Sequence, residues 1–260
     1  MKGSHSSLKG GTRLNRFRLY AILNVIGLLI VLAVNYLANA LPIGGQTTGE
    51  VSDKVFTLFT PAGYAFAIWG LIYFLLTVWV IRQFFVNDEQ KENDRKIGVW
   101  FFINAILNSS WVIVFQNEYF NVSIFIMLGI LLTLIIIYKN IQRLPHSTWY
   151  MRFPFSVYIG WISVATIVNV FVIFEANGIE RLIGLDEQVW AIIMLIVGAI
   201  LGVIFTLTQH DIAYSLTFIW AFIAIMVEQS GHPAIVTASK VAVVFLVGGI
   251  VIEVIRRNRK

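Results

Sequence analysis

From residue 17 onward, long apolar runs alternate with short polar connections. Eight runs approach the roughly 20 residues that a helix needs to cross the hydrocarbon of a bilayer. They cover residues 17–41, 62–85, 97–115, 122–138, 153–174, 189–207, 212–227 and 234–255. The fourth and seventh are the shortest. The pattern predicts an all-α fold, a polytopic membrane helical bundle of eight transmembrane helices, preceded by a small, polar, disordered segment at residues 1–16. Two connections exceed a tight turn. Residues 42–60 carry Gly44-Gly45, Thr47-Thr48-Gly49 and the apolar Val55-Phe56-Thr57-Leu58-Phe59, so they read either as a lid over a cavity mouth or as a solvated loop resting in the headgroups. Residues 86–96 mix both charge signs at high density and read as a solvated turn. Thr60-Pro61 supplies a cap and a first-turn proline for the second helix.

Polar groups within such runs cost energy unless they meet a partner or a cavity, so their faces carry information. In the first run Asn24, Asn35 and Asn39 fall at about 0°, 20° and 60° on a helical wheel. In the third, Asn104, Asn108, Trp111 and Phe115 lie within about 60° of one another, and in the fifth Tyr158, Trp161, Ala165 and Asn169 lie within about 80°. Phe66, Trp69 and Tyr73 share a face of similar width in the second. Any one of these asparagines is explained by an ordinary interhelical hydrogen bond, worth about 1 kcal/mol in lipid. Several stripes that mix an amide with Trp or Tyr at middle depth point instead to an aromatic pocket with polar anchors, the usual make-up of a small-molecule site. The last three runs are mostly aliphatic. Lys240, about two turns into the eighth, either snorkels outward or pairs with Glu228.

Composition agrees with the hydropathy pattern. The 260 residues are 58% hydrophobic and 13% charged, with a mean hydropathy of +0.80. A net charge of +5 is explained by where the cations lie: sixteen of the 19 Lys and Arg fall at the N-terminus, the C-terminus and the connections after the second and fourth runs. The opposite connections hold only Lys54 and Arg181 among many acids, which is the positive-inside pattern for a multi-pass protein of the cell (plasma) membrane with both termini cytoplasmic. The basic residues are thus accounted for by topology, and nucleic acid is not among the expected partners. With Cys 0 and four scattered histidines, no thiolate chemistry and no metal site is expected. No paired carboxylates, nucleophile–base set or phosphate loop is present, so no catalytic residue is assigned and the chain does not read as an enzyme.

Three motifs carry a family resemblance. Pro61-Ala-Gly-Tyr-Ala-Phe-Ala-Ile-Trp69-Gly-Leu-Ile-Tyr73 resembles the second-helix signature of the translocator protein family, the tryptophan-rich sensory proteins (TspO/MBR). Asn108-Ser-Ser-Trp111-Val-Ile-Val-Phe115 resembles its third-helix pattern, and the stretch from Tyr158 through Trp161 and Ala165 to Asn169 resembles its fifth. The likeness covers about residues 17–175, a five-helix bundle, and leaves residues 176–260 as a three-helix C-terminal membrane extension. It implies a porphyrin or haem-type tetrapyrrole as ligand, with no resident cofactor, held among Trp69, Tyr73, Asn108, Trp111, Trp161, Ala165 and Asn169 beneath the 42–60 lid. Because family members are often dimeric, the likeness also implies a homodimer. The lid departs from the family in having Lys54-Val55-Phe56-Thr57 where a Lys-Pro-x-Trp run is usual.

The expected function is binding of a planar hydrophobic ligand in an intramembrane aromatic pocket, for sensing or transport, with the lipid bilayer and that ligand as partners. Two alternatives accompany it. One is an eight-span secondary transporter or permease of a small hydrophobic metabolite; the other is light-dependent porphyrin degradation with a tryptophan as relay.

Overall fold

The computed structural model describes residues 4–41, 45–144 and 149–259. Helix α1 runs from Ser4 to Ala40, so the polar segment expected to be disordered is helical from Ser4 on, and residues 1–3 lie outside the described residues. A short helix α2 (Thr48–Lys54) follows, then α3 (Ile68–Arg82), the polar α4 (Asp88–Ile97), α5 (Trp100–Gln116), α6 (Phe120–Gln142) and α7 (Trp149–Ala176). Strands β1 (Arg181–Leu182) and β2 (Leu185–Asp186) form a small antiparallel hairpin, and α8 (Glu187–Gln209), α9 (Ile212–Glu228) and α10 (Pro233–Asn258) complete the chain.

Among the described residues six apolar helical stretches are long enough to cross a membrane, one of them α3 together with the helical turn that precedes it (Gly63–Arg82), and two shorter apolar helices, α5 and α9, have 17 residues each. The fourth run, expected to be short, is the 23-residue α6; the seventh, α9, is short as expected, and the third, α5, is equally short. Helix α3 also starts differently from its sequence. Thr60 does not cap it: its hydroxyl accepts from the Thr57 amide at 3.0 Å, and the chain passes through a 3-10 turn, Gly63–Ala67, before α3 begins.

Helix α7 is the axis of the bundle. In its most apolar window 61% of residues are buried, against 28–33% for the other long spans, because α3, α6 and α9 all pack on it. Pro154 sits within α7 and is itself buried. Below the candidate site, Trp79, Phe101 and Phe155 meet edge to face with ring centroids 5.0 to 6.3 Å apart, joining α3, α5 and α7.

The C-terminal helices are part of the same core, which runs without a break from Leu28 to Leu246. Two glycines permit the approach. A Cβ at Gly160 of α7 would stand 2.9 Å from Thr217 Cβ and 3.2 Å from the Tyr214 carbonyl of α9, and one at Gly202 of α8 would collide with the Leu246 side chain of α10. Polar ties add to this: Tyr138 donates to Asp211 at 2.6 Å, the Trp220 indole to the Ala65 carbonyl at 3.0 Å, and the Ala62 amide to the Ala224 carbonyl at 3.1 Å. The boundary drawn near residue 176 therefore marks order along the chain and not a division of the core. Lys240 is exposed.

Candidate ligand-binding site

The segment between α1 and α3 folds back over the bundle. Thr47 and Glu50 form a capping box that starts α2: the Thr47 hydroxyl accepts from the Glu50 amide at 3.2 Å, and the Glu50 carboxylate accepts from the Thr47 amide at 2.7 Å. That amide holds the Glu50 carboxyl below the usual range. Gln116 of α5 donates to the carbonyls of Ala38 and Gln46 at 2.8 and 3.1 Å, fastening the segment's first end. Lys54 bonds Glu118 at 2.7 Å, and this contact holds the Glu118 carboxyl below the usual range.

The second end is held by the C-terminal helices. Gln229 donates to the carbonyls of Thr57 and Thr60 at 3.1 and 3.2 Å, and the Leu58 amide donates to the Glu187 carboxylate at 2.6 Å. Residues 42–44 of the expected lid lie outside the described residues.

Beneath this cover lies a cavity of about 850 Å³, within the size range of small-molecule sites. Trp69 and Tyr73, stacked at 5.4 Å, form one wall. Asn35, Asn39, Phe66 and Trp111 also line it. Next to it is a much smaller inner cavity of about 40 Å³, little more than room for a water. Phe115, Trp161, Ala165 and Asn169 line only the inner one, whereas Phe66, Trp69 and Trp111 border both. The rings are tightly nested here: Trp111 stacks on Phe115 at 4.7 Å, while Trp161 meets Phe66 and Trp69 edge-on at 6.0 and 6.4 Å. Trp161 is 2% exposed and its indole N–H has no hydrogen-bond partner.

Three expected pocket residues line neither cavity. Asn104 turns to α6, donating to Thr133 at 2.8 Å and to the Ile130 carbonyl at 3.2 Å. Asn108 donates to the Tyr158 hydroxyl at 2.8 Å and accepts from Asn35 at 3.2 Å, so these groups satisfy one another behind the Trp69 ring. The helical wheel grouped them with the pocket-lining residues of their helices, but side chains of neighbouring helices take them up instead. Asn169 is likewise occupied, accepting from the Trp111 indole at 3.0 Å and donating to Ser123 at 2.9 Å. Asn24 lies away from the site, where it donates to Gln83 at 3.3 Å.

A family model described as TSPO-like protein matches residues 21–252. The chain belongs to the TSPO-like protein family. The match reaches into α10 and so takes in the helices that the motif-based likeness, confined to about residues 17–175, left as an extension. No curated protein and no solved structure matches the chain. In this TSPO-like protein the site also includes residues that sequence reasoning did not single out. Tyr36, Ser52, Asp53, Gly70 and Glu228 line the larger cavity. A Cβ on Gly70 would meet no atom within 4 Å, so the glycine leaves a gap in the wall beside Trp69. Ser52 and Asp53 belong to the segment read as a lid, and that was their only signal. Glu228 had none, because it joins the site from a helix distant in sequence.

Proposed function

We propose that this integral membrane TSPO-like protein binds a flat, largely apolar ligand in the cavity beneath α2. The observation that carries the reading is the stacked Trp69–Tyr73 pair facing an 850 Å³ cavity that a hydrogen-bonded segment covers. Such rings suit a planar aromatic molecule, and the side-chain oxygens of Asn35 and Asn39, whose amide nitrogens already donate within α1 and to Asn108, offer acceptors at its edge. A porphyrin has the required shape and is the ligand class that the family resemblance supplies. Sensing and transport both begin with this binding step. The inner cavity is too small for a macrocycle, so the ligand occupies the outer one and meets Trp161 only through the Phe66 and Trp69 rings.

In this reading all eight apolar helices cross the membrane, α5 and α9 included. At 17 residues each they reach about 25 Å at the helical rise of ~1.5 Å per residue, the short end of what spans a bilayer. An even number of crossings, with the cationic connections inside, leaves both termini in the cytoplasm of a cell whose plasma membrane holds the protein.

The test uses protoporphyrin dimethyl ester, an uncharged flat macrocycle, titrated into purified protein in neutral detergent while tryptophan fluorescence is followed. Saturable quenching is expected. Gly70→Leu, which places a side chain into open space in the cavity wall, is expected to weaken binding at least about ten-fold with an unchanged melting temperature. Equal affinity in the variant overturns the assignment to this cavity.

A further inference from the structure

We infer that the cavity selects a ligand carrying positive charge where it faces the mouth, a flat aromatic amine or similar cation in preference to a dicarboxylate. The inference rests on the reading of the cavity as a binding site and narrows it by the charges on its rim.

Two carboxylates line the cavity, Asp53 from α2 and Glu228 from the end of α9. Both are exposed, so they stand at the mouth and not in the packed depth. No lysine or arginine lines it among the described residues, and the undescribed residues 42–44 are Pro, Ile and Gly. The one cation on the covering helix, Lys54, adjoins Asp53 in sequence but is drawn away to Glu118 at 2.7 Å. That ion pair leaves the field at the mouth to the two acids.

The walls favour the same class. Trp69, Tyr73 and Trp111 line the cavity, and aromatic rings attract ammonium and guanidinium groups through the negative side of their quadrupole. Aromatic walls recognise organic cations, and a carboxylate near the opening adds Coulomb attraction to them. An anionic ligand would have to bring its charge past Asp53 and Glu228 with no compensating cation, and repulsion of that kind is how a site rejects the wrong partner. Exposure of both acids makes the effect sensitive to ionic strength.

The experiment holds the ring constant and changes only its charge. Protoporphyrin (two carboxylates), its dimethyl ester (neutral) and its bis-amide with two dimethylamino arms (cationic at pH 7) are titrated by tryptophan quenching in neutral detergent, with Gly70→Leu as the background for non-specific uptake. The cationic ring is expected to bind about ten-fold more tightly than the ester, with the dianion the weakest, and the spread should shrink at high salt. In Asp53→Asn/Glu228→Gln the spread should collapse. Glu180→Gln, which removes an exposed acid that does not line this cavity, should leave it unchanged. Melting temperatures verify that the rim variants fold. If the three rings bind alike, if the dianion binds most tightly, or if the double variant keeps the full spread, the charge selection is wrong and the binding site stands. If none of the rings binds above the Gly70→Leu background, the site assignment fails and the charge selection with it.

Discussion

Amide side chains within the bundle are held mainly by one another and by neighbouring hydroxyls. The row Asn35, Asn108 and Tyr158 joins α1, α5 and α7, and the row Trp111, Asn169 and Ser123 joins α5, α7 and α6. Each bond adds about 1 kcal/mol at most in lipid, so their value lies in fixing the rotation of the helices that carry the rings. At the cytoplasmic end proposed above, charge and burial compete at a single residue. Burial pushes the Asp94 carboxyl up to about 6, even though Arg82 stands 2.5 and 2.8 Å from its two oxygens. This folded value lies above that of an unfolded carboxyl, about 3.9, so between the two the folded state holds the extra proton. Asp94 therefore favours folding most below about pH 4, and its contribution falls as pH rises to about 6, by about 3 kcal/mol in all. Melting curves in detergent from pH 4 to 7 should show this fall as a difference between the native protein and Asp94→Asn, whose side chain cannot ionise. Curves that run parallel would contradict it.

Among the elements, α9 does the most to join the two ends of the chain. Its Trp220 and Ala224, with Gln229 at its C-terminal cap, hold the backbone between Thr57 and Ala65, where the cover over the cavity passes into α3. Glu187 at the start of α8 takes the Leu58 amide in the same stretch. The C-terminal helices thus position the cover as well as the core. Their seat on α7 depends on the missing side chain at Gly160, where one of the close atoms is the Tyr214 carbonyl and cannot turn aside as a flexible side chain would. Gly160→Ala should cost about 1–3 kcal/mol and lower the melting temperature, as overpacking does. Gly70→Ala, facing open space, is the matched substitution that should leave it unchanged. Comparable losses in both would mean that α7 and α9 are not in close contact at Gly160.

At the scale of the whole molecule, the number of crossings is open to a direct check because the chain has no cysteine of its own. With eight crossings, single cysteines at Arg143 and Arg259 should resist a membrane-impermeant maleimide on intact cells, and one at Glu180 should react. Were α5 to lie in the membrane without crossing, Arg143→Cys would react from outside. How much of this was legible beforehand follows from the range of each signal. Hydropathy acts locally, so the sequence alone determined eight apolar helices and a polar connection at residues 86–96, and the distribution of Lys and Arg sets the side expected of each loop; that this connection is a helix, α4, with Asp94 buried, and not a solvated turn, was decided by packing. Helical periodicity likewise put Trp69 with Tyr73, and Trp111 with Phe115, on common faces, and both pairs stack. Which faces meet is not a local property. Only the packing of separate helices turned Asn104 toward α6, closed the space around Trp161 to about 40 Å³, and brought Glu228 to a cavity begun nearly two hundred residues earlier at Leu32. A helix fixes the direction of its own side chains through its 3.6-residue turn, but what those side chains touch is settled by distances between helices, and no stretch of sequence within one helix contains them.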